Sequence, residues 1–126
     1  MGIEIYARWD GQLPTEVDEQ FEAWLSGVSG NIGYLREAYY GEPYATQHLV
    51  NEAFHNRGGA RIAAATLRER LPETLRIAEL REQTIYEVTS LAAIENTLQR
   101  YRDFVELCER VEHITGVPVM CSRRTE

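Results

Sequence analysis

The sequence predicts an α+β fold in which three to four helices pack on a small sheet, and two observations carry this prediction. Short stretches at residues 3–9 and 117–121 alternate apolar and polar side chains, which is typical of strands with one buried face. Three longer stretches repeat apolar residues at helical spacing, with glycine and proline between them. With 126 residues and 44% apolar composition, the chain is expected to form a single compact domain over residues 1–126.

The two predicted strands lie near the ends of the sequence. In residues 3–9 the apolar side chains alternate with Glu4, Tyr6 and Arg8, which we expect to be solvated. The second strand, residues 117–121, most simply pairs with the first. A sheet of only two strands is marginally stable. We therefore expect that helices pack on it, or that it is extended by a strand from the tyrosine-rich middle of the chain or from a neighbouring chain.

The first helix is predicted to begin near Thr15. Asp18 lies three residues on, as in a capping box, and acidic residues fill the first turn, where the helix dipole favours them. Gly27 to Gly30 supply the stop signal. The expected buried stripe has the spacing of one helix face and comprises Val17, Phe21, Trp24, Leu25 and Val28.

Residues 29–46 are expected to form a short strand or turn followed by a loop, because four glycines and prolines interrupt the run. A short helix is predicted from about Gln47 to Asn56, ended by Gly58 and Gly59. Its inward face is expected to comprise Leu49, Val50, Ala53 and Phe54.

A longer helix is predicted from Thr66 to about Glu87. Thr66 and Glu69 form a second capping box at its start. The apolar stripe continues across Pro72, where we expect either a kink or the first turn of a new helix. That stripe comprises Leu67, Leu71, Leu75 and Ala78.

The last helix is predicted over residues 91–115, with Gly116 as its C-terminal cap. Its inner stripe follows a 4-3-4-3 spacing through Ile94, Leu98, Tyr101, Val105 and Cys108. At ~1.5 Å per residue the helix is about 40 Å long, which exceeds the needs of one small domain. Further apolar residues widen this face beyond one stripe, namely Leu91, Phe104, Leu107, Val111 and Ile114. The wider face could pack against another helix of the same chain or against a second copy of the chain, and a homodimer is predicted.

Charge is distributed unevenly along the chain. The net charge of −7 lies entirely in residues 1–56, where nine acids meet two arginines; beyond them eleven acids balance eleven arginines. An acidic chain disfavours nucleic acid as a partner, because phosphate binding needs a clustered positive field. No apolar run approaches a membrane span and no leader is recognisable, so we expect a cytoplasmic protein without a membrane partner.

Several chemistries are excluded or disfavoured by composition. All thirteen cations are arginine, so a Schiff-base lysine and a Walker-type phosphate lysine are absent. Cys108 and Cys121 lack the companion pair of a zinc site, and two buried thiols are the better interpretation. No nucleotide or other cofactor motif is present, and no cofactor is expected.

The candidate binding surface is the tyrosine segment, residues 34–57, together with the glycine loop that follows it. Tyrosine and arginine dominate interface hot spots, because each combines a large contact area with directed hydrogen bonds. The alternative is that these tyrosines cap the core with wet hydroxyls while Arg36 pairs with Glu37 or Glu42. The residues assigned to a ligand or partner are Tyr34, Arg36, Glu37, Tyr39, Tyr40, Glu42, Tyr44, His48, Arg57 and Arg61.

Two further motifs carry weaker hypotheses. Residues 57–61, Arg-Gly-Gly-Ala-Arg, resemble a small-anion loop, although a helix cap followed by a solvated loop explains the same sequence. His48, Glu52 and His55 share one face of a helix and suggest a metal site. However, the two histidines are ~10.5 Å apart along a helix axis, too far to bind one ion without help.

Two classes of function follow from these candidates. The first is a non-catalytic binding or assembly protein that self-associates and uses the tyrosine segment to engage a basic protein or a small ligand. The alternative is a small acid/base or metal-assisted enzyme that uses His48, Glu52 and His55. The first is favoured, because no nucleophile, cofactor motif or complete ligand set can be named.

Overall fold

The computed structural model describes residues 2–26 and 30–125, except for the side chains of residues 24–26 and 125. The fold is α+β, as predicted. Its strands are β1 (Gly2–Arg8), β2 (Tyr34–Ala38), β3 (Ala60–Ile62) and β4 (Val119–Thr125). Its α-helices are α1 (Pro14–Ser26), α2 (Ala45–Leu49), α3 (Asn51–His55), α4 (Ala64–Thr84) and α5 (Leu91–Thr115), and a short 3-10 helix covers Gly30–Ile32.

The four strands form one antiparallel sheet in the order β2-β1-β4-β3. The predicted pairing of the terminal strands is confirmed, with Ile5 opposite Arg123 and Arg8 opposite Met120. β2 extends the sheet from within the tyrosine segment, as one of the sequence alternatives required. β3 was expected to be a loop; it is a strand because three residues suffice to pair with β4 along Val119–Cys121.

The main core lies on one face of the sheet, under α4 and α5. Ile3 and Ile5 point into it, and the predicted inner stripe of α5 is buried throughout. α5 has the predicted bounds, and Gly116 ends it with a φ of 74°, a conformation that glycine adopts without strain. Three of its additional apolar residues, Phe104, Leu107 and Val111, are buried within the same chain.

Leu91 and Ile114 depart from the predicted apolar face of α5. Each is 81% exposed, and they lie at opposite ends of the helix. A separation of 23 residues corresponds to about 35 Å, so the two side chains do not form a continuous seam. Most of α5 therefore packs within the chain, against α4, the sheet and the 3-10 helix.

The outer face of the sheet is covered in part by α1, and its contacts differ from the predicted ones. Within residues 14–23 of α1, the buried residues are Gln20 and Ala23, whereas Phe21 is 47% exposed. Gln20 Nε2 donates to Ala7 O (3.0 Å) and Gly33 O (3.1 Å), so the buried amide is satisfied by backbone carbonyls of the sheet and the turn before β2. The side chains of Trp24 and Leu25, and residues 27–29 with Val28, lie outside the described part of the chain.

The start of α1 also differs from the prediction. The helix begins at Pro14, and Glu16 Oε1 accepts a hydrogen bond from Leu13 N at 2.9 Å. This is the glutamate half of a capping box, moved two residues toward the N-terminus, with leucine at the cap. Thr15 is thus a first-turn residue rather than the cap.

The 3-10 helix lies directly against α5. A Cβ atom on Gly30 would stand 1.8 Å from the carbonyl oxygen of Arg100. Any other residue at position 30 would force the two backbones apart. The glycine that was expected to stop α1 therefore also permits a close contact between distant segments.

The predicted helix over residues 47–56 is two helices in the structure. Val50 adopts φ −124° and ψ 47°, outside helical values, and separates α2 from α3. The two helices point in different directions from this break, so side chains at positions 48 and 55 no longer share one face.

The cap of α4 lies three residues before the predicted cap, Thr66. Ala63 occupies the cap position without a side-chain hydrogen bond, and Glu112 of α5 accepts from Ala64 N at 3.2 Å instead. The donor at the helix start is thus satisfied by tertiary contact, which no local pattern reveals. α4 continues through Pro72 as one helix and ends at Thr84, so no new helix begins at the proline.

Among the described helices, none contains a stretch long and apolar enough to cross a lipid bilayer.

A buried ion pair ties the tyrosine segment to α4. Arg81 and Glu37 are 3% and 6% exposed, and Arg81 Nε lies 2.7 Å from Glu37 Oε2 as an ionic contact rather than an aligned hydrogen bond. Arg81 Nη1 donates to Gly41 O (2.6 Å) and Pro43 O (3.0 Å), and Nη2 donates to Ala38 O (2.8 Å). One side chain therefore satisfies the carbonyl at the end of β2 and two carbonyls of the loop that follows it.

Glu37 in turn caps α2. Its Oε2 accepts from Ala45 N at 2.8 Å, and its Oε1 accepts from Thr46 N at 3.0 Å and from Thr46 Oγ1 at 2.6 Å. These backbone donors are unpaired at the start of any helix, where a carboxylate is favoured. Both members of the buried charge pair are thus supported by further hydrogen bonds.

Replacing Arg81 with methionine should lower the free energy of unfolding by about 3 to 5 kcal/mol, because Glu37 is left as an unpaired buried charge. Adding Glu37→Leu should recover part of that loss. Urea denaturation of the purified variants measures both effects. Arg76→Met breaks the exposed pair with Glu73 and is the control, expected to leave stability nearly unchanged. A loss for Arg81→Met no larger than for this control would contradict the assigned role.

Candidate functional site

The tyrosine segment divides into buried anchors and exposed side chains. Tyr34, Glu37 and Tyr44 are buried and hydrogen-bonded within the chain. Tyr39 and Tyr40, by contrast, are 50% and 74% exposed. The buried members position the segment, and the exposed pair is accessible to a partner.

A groove of about 730 Å³ lies between the tyrosine segment and α4. Its walls come from the loop before α2, from α2 and the start of α3, and from two positions on α4. It contains three of the residues predicted to bind a ligand, namely Glu42, Tyr44 and His48. The other residues that line it are Pro43, Gln47, Asn51, Arg70 and Ile77.

Three polar side chains in the groove have no hydrogen-bond partner among residues 2–26 and 30–125. They are Gln47, His48 and Asn51, on α2 and the first residue of α3. The two amides each offer a donor and an acceptor, and the imidazole offers one of each when neutral. The groove therefore presents hydrogen-bonding groups that the fold does not use.

Arg70 forms the opposite wall and is held in place. Its Nη1 and Nη2 donate to Glu52 Oε1 and Oε2 at 2.7 and 2.9 Å, and Nη1 also donates to Leu49 O at 3.0 Å. The two parallel bonds fix the plane of the guanidinium. They also hold the pKa of Glu52 below its usual value. Glu52 is thus a partner of Arg70.

Tyr39 does not line the groove itself but stacks on Tyr44, which does, and the two rings form its rim, with centroids 5.4 Å apart and planes at 21°. Tyr44 Oη accepts from Gly41 N at 2.9 Å, and the Arg81 guanidinium lies 4.9 Å from its ring centroid. The rim is therefore fixed through Tyr44 to the buried ion pair. Tyr40 projects beside it with little burial.

The remaining predicted residues lie elsewhere. Arg36 is exposed on β2, directly opposite Glu4 on the outer face of the sheet. Arg57 lines a second cavity beyond α3. Arg61 is exposed on β3 and donates to Pro118 O at 2.8 Å. The structure brings neither Arg36 nor these two arginines into the groove.

The metal hypothesis finds no support in the geometry. His48 lines the groove, whereas His55 lines the second cavity, on the far side of the break at Val50. Both carboxylate oxygens of Glu52 are occupied by Arg70. Among the described residues, no three histidine, cysteine, aspartate or glutamate side chains converge on one point.

Glu4 was expected to be solvated and is instead 1% exposed. It lies on the outer face near the cluster that Tyr6, Tyr34 and Ala23 of α1 form. Tyr34 Oη donates to Glu4 Oε1 at 2.6 Å, and this bond and burial raise the pKa of Tyr34. Glu4 Oε2 has no hydrogen-bond partner among the described residues. Strand alternation alone gave no signal for this burial, because α1 covers the face that the pattern marks as polar.

Gln47, Asn51 and Arg70 were also missed by sequence reasoning. Gln47 and Asn51 are ordinary surface residues by type, and only their spacing of four, next to His48, hints at a shared direction. Arg70 belongs to a helix whose contact with α2 is long-range. No sequence pattern connects it to the tyrosine segment.

The Glu52–Arg70 pair should make a pH-dependent contribution to stability. Because the folded-state pKa of Glu52 is lowered, that contribution is present above the ordinary glutamate pKa of about 4.3 and is lost as the pH falls through the folded value. The side chain is 41% exposed, so the effect should stay below about 1 kcal/mol.

Urea denaturation of wild type and Glu52→Gln at pH 7 and pH 3 measures this effect. The difference in unfolding free energy should shrink at pH 3, whereas Glu79→Gln, which changes an exposed glutamate of α4 without an ion-pair partner among the described residues, should show no such trend. If the unfolding free energy of the wild type exceeds that of Glu52→Gln by the same amount at both pH values, the pH-dependent role of the Glu52–Arg70 pair is contradicted.

Comparisons with known proteins give no relative from which a role can be inferred. No protein-family model matches the chain, and neither a curated protein nor a solved structure matches it.

Proposed function

We propose that the protein is a non-catalytic binding protein whose groove between α2 and α4 takes an extended segment of a partner polypeptide. The observation that carries the proposal is the set of unpaired polar side chains in the groove, Gln47, His48 and Asn51. Burying them against a ligand that lacks donors and acceptors would be costly, so a polar ligand is favoured.

A polypeptide backbone fits these groups well. Side-chain amides can donate to a carbonyl and accept from an N–H of the same extended strand, and the two amides, one on each side of the break at Val50, repeat that offer. Tyr39 and Tyr40 at the rim add amphipathic contact area, which is typical of interface hot spots. An open polar groove with aromatic residues at its edge is better suited to an extended polypeptide than to a small molecule, which usually binds in a closed pocket.

Preorganisation also supports binding. The rim and the start of α2 are held by Arg81 and Glu37, so a ligand need not order this loop when it binds. The exposed tyrosines lose few rotamers on contact because each has only two side-chain torsions.

The partner segment is expected to be basic. Glu42 lines the groove, and the first 56 residues carry the whole net charge of −7. Exposed acids on α1, namely Asp18, Glu19 and Glu22, extend the negative field. Such a field raises the association rate of a cationic partner and selects against an acidic one.

Self-association and a cytoplasmic location belong to the same proposal. Leu13, Val17 and Phe21 are spaced by four along α1, and Leu13 and Phe21 are exposed, which supports contact with a second copy. Cys108 and Cys121 are both buried free thiols, as is usual in a reducing compartment.

Panning a random linear peptide library on the wild-type protein tests the groove directly. The selected peptides should be rich in arginine or lysine, and Asn51→Ala or His48→Ala should weaken their binding about tenfold or more in a calorimetric titration. Arg110→Ala, an exposed change on α5, is the matched control and should leave affinity unchanged. If enriched peptides bind all three variants as they bind wild type, the groove is not the site.

Sedimentation velocity tests self-association separately. The wild type should sediment as a dimer of the 14.5 kDa chain, and Phe21→Ser should return it to the monomer without altering its circular dichroism spectrum. Ile114→Ser removes a still more exposed apolar residue, from α5, and should leave the dimer intact. A wild-type monomer at the highest soluble concentration would end this part of the proposal.

A further inference from the structure

A second cavity, of about 310 Å³, lies beyond the C-terminal end of α3. Its walls come from the end of α3, the turn that follows it, and β4. The residues that line it are Ala53, Phe54, His55, Asn56, Arg57 and Arg123. It shares no lining residue with the groove.

The charged groups of this cavity are all of one sign. Arg57 and Arg123 line it together with the imidazole of His55, and no carboxylate lines it. Neither arginine has an ion-pair partner among the described residues. By contrast, five arginines elsewhere are paired with glutamate: Arg68, Arg70, Arg76, Arg81 and Arg102.

Two guanidiniums without an ion-pair partner among the described residues thus line one small cavity that no carboxylate lines. Like charges that face a common space repel one another unless solvent or a counter-ion screens them. An anion held between the two guanidiniums would remove that repulsion and gain charge-assisted hydrogen bonds.

The cavity is built rather than formed by chance contact of free side chains. The Arg123 guanidinium lies 5.0 Å from the centroid of the Phe54 ring, a cation–π contact that fixes its position. Asn56 Nδ2 donates to Glu52 O at 2.7 Å, and Gly59 N donates to Asn56 O at 3.0 Å, which closes the turn that carries Arg57. The donors are therefore presented from a helix end, a closed turn and a strand.

We propose that this second cavity binds a phosphate group, either inorganic phosphate or the phosphate of a small monoester. Two guanidinium forks and an imidazole offer several N–H donors from different directions, which suits the tetrahedral arrangement of phosphate oxygens. A carboxylate has two oxygens in one plane and would leave part of this donor set unused. The site is independent of the groove and of the partner proposed for it.

A titration of the ¹⁵N-labelled protein with inorganic phosphate, followed by amide chemical shifts, tests the proposal. Saturable shifts should appear at residues 53–59 and near Arg123. Arg57→Gln, which removes a guanidinium that has no hydrogen bond to the described residues, should weaken binding about tenfold or more. Arg123→Gln should do the same, and a circular dichroism spectrum checks that it is folded.

Arg110→Gln removes another exposed arginine and is the control, expected to leave the titration unchanged. Shifts that stay linear with phosphate concentration, or that persist equally in Arg57→Gln and Arg123→Gln, would overturn the proposal. Acetate that binds at the same residues as tightly as phosphate would overturn the assignment of the ligand class.

Discussion

The buried contact between Arg81 and Glu37 is the constraint on which the middle of the chain depends. A charge taken out of water must have its hydrogen bonds satisfied, or it destabilises the fold by several kcal/mol, about 3 to 5 when one partner is lost. Here the guanidinium and the carboxylate neutralise each other's charge, and each forms its hydrogen bonds with the backbone nearby. The end of β2, the loop over residues 39–44 and the start of α2 are thereby fixed to α4.

The two cavities follow from that constraint and from the break at Val50. Because α2 is capped by Glu37 and packed against α4, its polar residues line the groove. Because Val50 turns the chain before α3, His55 lies at the second cavity instead of beside His48. One short stretch of helix-forming sequence thus supplies side chains to two separate surfaces.

Sequence reasoning succeeded where a long periodic pattern determines the structure and failed where a single tertiary contact does. The bounds of α5 and the pairing of the end strands could be predicted, since burial of a regular apolar stripe decides both. The face of α1 could not, because Gln20 is buried for its hydrogen bonds rather than for hydrophobicity. Of the residues that line the groove, the sequence pointed to Glu42, Tyr44 and His48, whereas Arg70 comes from a helix and lies 18 residues beyond its partner Glu52.

All cations of this chain are arginine, and at Arg81 the structure shows what a lysine could not do. Its nitrogens reach three carbonyls and a carboxylate at the same time, in directions set by a planar fork. An ammonium group has three donors around one nitrogen and cannot span acceptors so far apart. The same property distinguishes Arg123, whose flat guanidinium rests on an aromatic ring while its edge remains available to a ligand. In this fold the planar shape of arginine matters as much as its charge. It lets Arg81 join separate segments of the chain, and it leaves the edge of the Arg123 guanidinium available to a ligand.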